Sequence, residues 1–143
     1  MTEGNKTPGV LFVCSKNGGK SQLAAGLMRS LAGNGVRVYS AGTKPGPALN
    51  PESVESLVEL GIDITGEYPK PVTDEVLDAV DAVIVLGTEA KLDAPAGKRF
   101  EIWETDEPST RGIRGMERMR LVRDDIKARV QALHDELVGQ TRP

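Results

Sequence analysis

Cysteine, histidine and aromatic residues are scarce in this chain: one cysteine, Cys14, one histidine, His134, and 3% aromatics among 143 residues. A lone cysteine makes no intramolecular disulfide, and with no cluster of cysteine and histidine there is no zinc-ligand pattern, so no metal site is expected. The core has to be aliphatic, drawn from Val, Leu, Ile and Ala. No apolar run approaches the ~20 residues that span a bilayer, and the polar stretch Met1 to Pro8 lacks the apolar segment of a secretory signal. These absences lead to the expectation of a cytoplasmic protein with no membrane association. A net charge of −3 argues against broad nucleic-acid binding. The chain has neither an internal repeat nor a low-complexity segment.

The remaining composition, 38% hydrophobic and 27% charged, is that of an ordinary globular domain. The length suits one domain, large enough to bury roughly two-thirds of its unfolded surface. We expect a flexible N-terminus over residues 1–8, a single α/β domain over 9–138 and a tail over 139–143. Val10 to Val13 reads as a buried strand, and Leu23, Leu27, Met28 and Leu31 recur at helical spacing until Gly33-Asn34-Gly35 stops the helix. Val36 to Tyr39 reads as a second strand. Asn50 before Pro51 is a helix N-cap, with Gly61 ending that helix. A short helix is expected around Thr73 to Asp78, a buried strand at Ala82 to Leu86 and an edge strand at Arg99 to Trp103. Met119, Val122, Ile126, Val130, Leu133 and Leu137 fall on one helical face, which we expect to pack on the sheet rather than on a partner. Alternating strands and helices predict a four-stranded parallel sheet with right-handed crossovers and helices on both faces. In such sheets ligands bind at the carboxyl ends of the strands, where Cys14 lies.

The stretch Cys14-Ser15-Lys16-Asn17-Gly18-Gly19-Lys20-Ser21 joins the first strand to the first helix. Its N–H groups and the helix macrodipole converge on one spot, an anion site. A nucleotide P-loop matches at Gly19-Lys20-Ser21 but lacks the opening glycine, which is Cys14, and Val83 to Leu86 is followed by Gly87 rather than by a magnesium-binding Asp. The better reading is a nucleophilic cysteine in an oxyanion cradle. A free thiol is only a few per cent ionised at neutral pH. Convergent amides, Lys20 and a hydrogen bond from Ser21 all favour the anion, while Gly18 and Gly19 let the backbone curl around a tetrahedral ligand. The cradle is therefore assigned Ser15, Lys16, Asn17, Gly18, Gly19 and Lys20, with Cys14, Lys20 and Ser21 as catalytic candidates.

Cys-x5-basic-Ser after the first strand resembles the low-molecular-weight protein tyrosine phosphatase superfamily, whose fold is flavodoxin-like and is shared with one class of arsenate reductases. Val10 to Cys14, Asn17, Lys20-Ser21-Gln22, Ala24-Ala25, Ser40-Ala41-Gly42-Thr43 and the region Trp103 to Pro108 look like the reductase branch. Gly115-Met116-Glu117-Arg118-Met119-Arg120 with Val122-Arg123-Asp124 looks closest to the single-cysteine arsenate-mycothiol transferases of actinobacteria. Most of that superfamily has arginine where this chain has Lys20, a point charge in place of a planar bidentate fork. It also has an Asp-Pro in a late loop, with Asp as general acid. Here Asp106-Glu107-Pro108 puts Glu107 beside proline, so the resemblance implies Glu107 as the acid and Asp106 as fallback.

Thioredoxin-coupled relatives supply two further cysteines, and Leu86-Gly87-Thr88-Glu89-Ala90, where a relay cysteine would be expected, has none. The resemblance thus implies an arsenate reductase with no bound cofactor. Cys14 attacks arsenate, Glu107 protonates the departing hydroxide, and an external co-substrate thiol, mycothiol, displaces the arsenic before a mycoredoxin-like partner completes the reduction. Two alternatives remain open: an aryl or tyrosine phosphatase, and a non-catalytic protein that binds arsenate or phosphate.

Overall fold

A computed structural model describes residues 7–140. Its elements run β1 (Gly9–Cys14), α1 (Lys20–Ala32), β2 (Arg37–Gly42), α2 (Pro51–Val58), α3 (Asp74–Ala79), β3 (Ala82–Leu86), β4 (Arg99–Trp103) and α4 (Gly115–Gln140), with 3-10 turns at Gly33–Gly35 and Pro108–Arg111. The four strands form one sheet in the order β2-β1-β3-β4, and every pairing is parallel.

The central strands β1 and β3 are buried along their whole length, as parallel strands covered on both faces must be. Their side chains alternate between two cores. Val10, Phe12, Ala82, Ile84 and Leu86 face the layer of α1, α2 and α4. Leu11, Val13, Val83 and Val85 face α3, with Val76 and Leu77 against them. The stripe expected to pack inward on α4 does so, since Met119, Val122, Ile126, Val130, Leu133 and Leu137 are all buried.

Caps account for two of the helix starts. Asn50 Oδ1 accepts from the N–H of Glu52 and of Ser53 ahead of Pro51, and Thr73 Oγ1 accepts from Val76 N–H. The second strand runs on to Gly42, beyond the expected Tyr39, because Ser40, Ala41 and Gly42 continue the register opposite Phe12, Val13 and Cys14. Similarly, α4 continues to Gln140, so residues 139 and 140 are helical rather than part of a tail. What was expected of the two ends, residues 1–6 and 141–143, lies outside the described residues. Among the described residues no helix is long and apolar enough to cross a membrane.

Candidate active site

Cys14 ends β1, and its sulfur meets two groups. The N–H of Asn17 donates to Sγ at 3.2 Å, and Ser21 Oγ lies 2.9 Å from it. The hydrogen-bond network behind the sulfur fixes the orientation of the Asn17 amide. The backbone N–H of Lys70 can only donate, and it donates to Asn17 Oδ1 at 3.0 Å. The Asn17 amide nitrogen is therefore the atom facing Ser21, and it donates to Ser21 Oγ at 2.7 Å. With its oxygen already accepting from Asn17, Ser21 has its own proton available for the sulfur 2.9 Å away. Cys14 Sγ thus accepts from Asn17 N–H and lies within hydrogen-bond reach of the Ser21 hydroxyl.

Gln22 donates to the Asn17 carbonyl and side-chain oxygens and to the Tyr68 carbonyl. Lys70 Nζ reaches Ser40 Oγ and the Tyr68 carbonyl. Burial, partly offset by Glu67, brings this ammonium below the usual lysine range. Asn17 itself is buried and left-handed, with φ 54°, a region that asparagine tolerates better than most residues.

The loop carbonyls are tied outward. Thr43 N–H donates to Cys14 O, Lys44 to Ser15 O, Gly46 to Lys16 O and Asn50 to Gly18 O, at 2.8–3.1 Å. A peptide unit held by its carbonyl on one side presents its N–H on the other: that of Asn17 reaches the Cys14 sulfur, and those of Ser15, Lys16 and Gly19 belong to residues that flank or line the cleft. The loop also sits tightly on the backbone beneath it. A Cβ at Gly42 would lie 2.7 Å from Ser15 O, and one at Gly18 would lie 2.8 Å from Ala48 O. The N-cap of α1 is Gly19, which offers no side-chain cap, and the first turn carries no acid. That leaves its amides and its dipole directed at the cleft.

The cleft measures about 720 Å³, with Cys14, Ser15, Lys16, Gly18, Gly19 and Lys20 among its lining. Its walls come from Pro47 and Ala48 on one side and Thr88, Glu89, Glu104, Thr105, Glu107 and Arg118 on the other. None of the lining residues is aromatic. Ser21 lies against the sulfur, where its hydrogen bond was expected, whereas Asn17, expected to line the cradle, is absent from the cleft lining and its N–H serves Cys14 instead.

Glu107 lies in the cleft wall, with Oε1 4.0 Å from Lys20 Nζ, but its surroundings differ from those expected of an acid. Arg118 grips it with both Nε and Nη2, at 2.7 and 2.9 Å, and Ser109 donates through N–H and hydroxyl. The Arg118 hydrogen bonds, with those of Ser109, outweigh burial and hold the carboxyl down at about 2. Asp106 is likewise held below the ordinary aspartate range by Arg111, which pairs with both of its oxygens. As placed here, neither carboxyl keeps a proton to donate at neutral pH. The Arg118 clamp had no sequence signal beyond a basic residue on a helix flank.

Comparison with known proteins adds four findings. The family model described as low molecular weight phosphotyrosine protein phosphatase matches residues 9–142. A protein of Staphylococcus haemolyticus named arsenate reductase 1 is 30% identical over 132 residues, 90% of this chain and 96% of its own. Among solved structures, a thioredoxin-dependent arsenate reductase of Corynebacterium glutamicum superposes with a TM-score of 0.81 at 32% identity over 95% of this chain. This chain spans only 64% of that one. An arsenate reductase solved in a phosphate-binding state gives 0.78 at 30% identity, covering 91% of this chain and 98% of its own.

Proposed function

This chain belongs to the low molecular weight phosphotyrosine protein phosphatase family, and we propose that within it the protein is an arsenate reductase whose second thiol comes from solution. The observation that carries this reading is a sulfur that accepts from Asn17 N–H and lies 2.9 Å from the Ser21 hydroxyl, in the lining of the cleft with Lys20, in a chain with no other cysteine. The names of the relatives support arsenate as substrate.

The reaction balances without a protein acid. The Cys14 thiolate attacks dihydrogen arsenate held by the loop amides and Lys20. The new S–As bond forms as one As–O bond breaks, and a substrate proton passes to the departing oxygen, which leaves as water. An external thiol then displaces Cys14 from arsenic and returns its own proton to the Cys14 sulfur. A second external thiol attacks the sulfur of that arseno-thiol adduct, giving a mixed disulfide, and the S–As electron pair reduces arsenic to arsenite. Mycothiol as the first thiol and a mycoredoxin-like protein as the second follow from the resemblance of the Gly115 to Asp124 tract. Thioredoxin reduces a disulfide, and one cysteine gives this chain none of its own to offer.

Aryl phosphate hydrolysis is the weaker reading, because a ring entering the cleft meets Pro47, Ala48, Thr88 and Glu89 rather than an aromatic face. The test is NADPH consumption in a mixture of arsenate, mycothiol, mycoredoxin and its regenerating reductase. Arsenate-dependent consumption that disappears in Cys14→Ser is expected. Consumption undiminished in that variant overturns the reading, as does brisk thiol-free turnover of an aryl phosphate with no arsenate reduction.

A further inference from the structure

The donors around Glu107 are unevenly shared between its two oxygens. Oε2 takes Ser109 N–H, the Ser109 hydroxyl and Arg118 Nε, whereas Oε1 takes Arg118 Nη2. With about two acceptor positions on each oxygen, Oε2 is crowded, the Ser109 N–H sharing a position at 3.3 Å, whereas Oε1 keeps one open, and Lys20 Nζ at 4.0 Å lies beyond hydrogen-bond reach of it. Both groups line the cleft with Cys14. The charges facing this carboxylate are Lys20 from α1 and Arg118 from α4, with Glu104 in the same wall, while Asp106 is already paired with Arg111.

An anion oxygen that accepts from Lys20 therefore arrives beside a carboxylate oxygen with a free lone pair. If the arriving oxygen is bare, two acceptors face each other and repel. If it carries hydrogen, it donates to Oε1 in a short charge-assisted bond. Resting on the reading of the cleft as an oxyanion site, we propose that Glu107, fixed by Arg118, is a specificity-determining acceptor that admits tetrahedral oxyanions bearing a proton and rejects those without one. Arsenate and phosphate qualify, and sulfate does not. Arg118 is then a positioning residue, which keeps the carboxylate turned to the cleft and unable to become a donor itself.

The test uses inorganic phosphate and sulfate as probes of the full chain by calorimetry at pH 7.5. There both are mainly dianions of the same shape, differing by one hydrogen. Phosphate is expected to bind at least about tenfold tighter, the usual effect of facing two acceptors without a donor. Glu107→Gln offers sulfate an N–H and should shrink that ratio about tenfold, mainly by tightening sulfate. Equal affinities in the unaltered protein overturn the proposal without recourse to any variant, and so does a Glu107→Gln protein that gains equally for both anions. If the selectivity appears but thiol-dependent arsenate turnover does not, the reductase reading fails and the selection stands. Turnover with no selectivity has the opposite meaning.

Discussion

Asn17 combines an unusual backbone conformation with a side chain used on three sides. Replacing it with alanine strands the Lys70 N–H and leaves Ser21 without the donor that orients its hydroxyl. It also places a Cβ residue without a compensating side chain at φ 54°. We expect Asn17→Ala to lose about 2–4 kcal/mol in urea titrations, from buried donors left unpaired and from left-handed strain. Asn17→Gly keeps the Asn17 N–H on sulfur and relieves the backbone, so it should be the more stable of the two by about 1 kcal/mol. If alanine proves as stable as asparagine, the network is not what shapes the loop. The sequence identified Asn17 as one amide among several. Its side-chain role was not legible, because Lys70 and Tyr68 come from about fifty residues away and only the folded chain brings them beneath the loop.

The long helix α4 is held to the rest of the molecule by two carboxylates as well as by its apolar stripe. Glu59, just past α2, takes Arg120 through both oxygens and Arg123 through one, and Glu107 takes Arg118. The Arg120 hydrogen bonds, then those of Arg123, bring Glu59 down to about 2, close to the value for Glu107. Both groups have folded values below their ordinary 4.5, so their stabilising effect is present above about pH 4.5 and is lost as pH falls through the range down to about 2. The urea midpoint should therefore be level at neutral pH and decline between those limits. Glu59→Gln should start lower at pH 7 and decline less steeply. A variant with the same acid slope as the unaltered protein would rule out Glu59 as a contributor. The stripe was readable because burial imposes a helical period on apolar residues. The clamps were not, since Arg118, Arg120 and Arg123 entered only as part of a tract that resembles a family, and their partners on α2 and the 106–109 loop are distant in sequence. Arg123, only 8% exposed, also donates to the Ser56 carbonyl.

At the scale of the molecule, the two-faced sheet sets Cys14 at the carboxyl edge while leaving the cleft to loops from four separate stretches of chain. A ligand that binds only this assembled state stabilises it. Phosphate at about a hundred times its dissociation constant should add about 2.7 kcal/mol, raising the melting temperature by roughly 5–10 °C for a chain of this length. Lys20→Met should lose most of that shift while melting at nearly the same temperature without phosphate, because its ammonium is part-exposed and its pair with Glu107 spans 4.0 Å. An equal shift in both proteins would show that phosphate binds elsewhere. The sheet, its parallel sense and the position of the cysteine followed from hydrophobic runs and glycine stops. The walls at 86–90 and 103–108 were indicated only by resemblance, because nothing local in Thr88, Glu104 or Arg118 says what they will face.

The outward ties of the loop have a practical corollary for protein engineering. Four carbonyls of the 14–18 stretch rest on N–H groups between Thr43 and Asn50, so the eight-residue signature does not hold its shape by itself. Grafting Cys14 to Ser21 onto a foreign strand–helix junction should produce a floppy graft unless residues 42–50 travel with it as a scaffold.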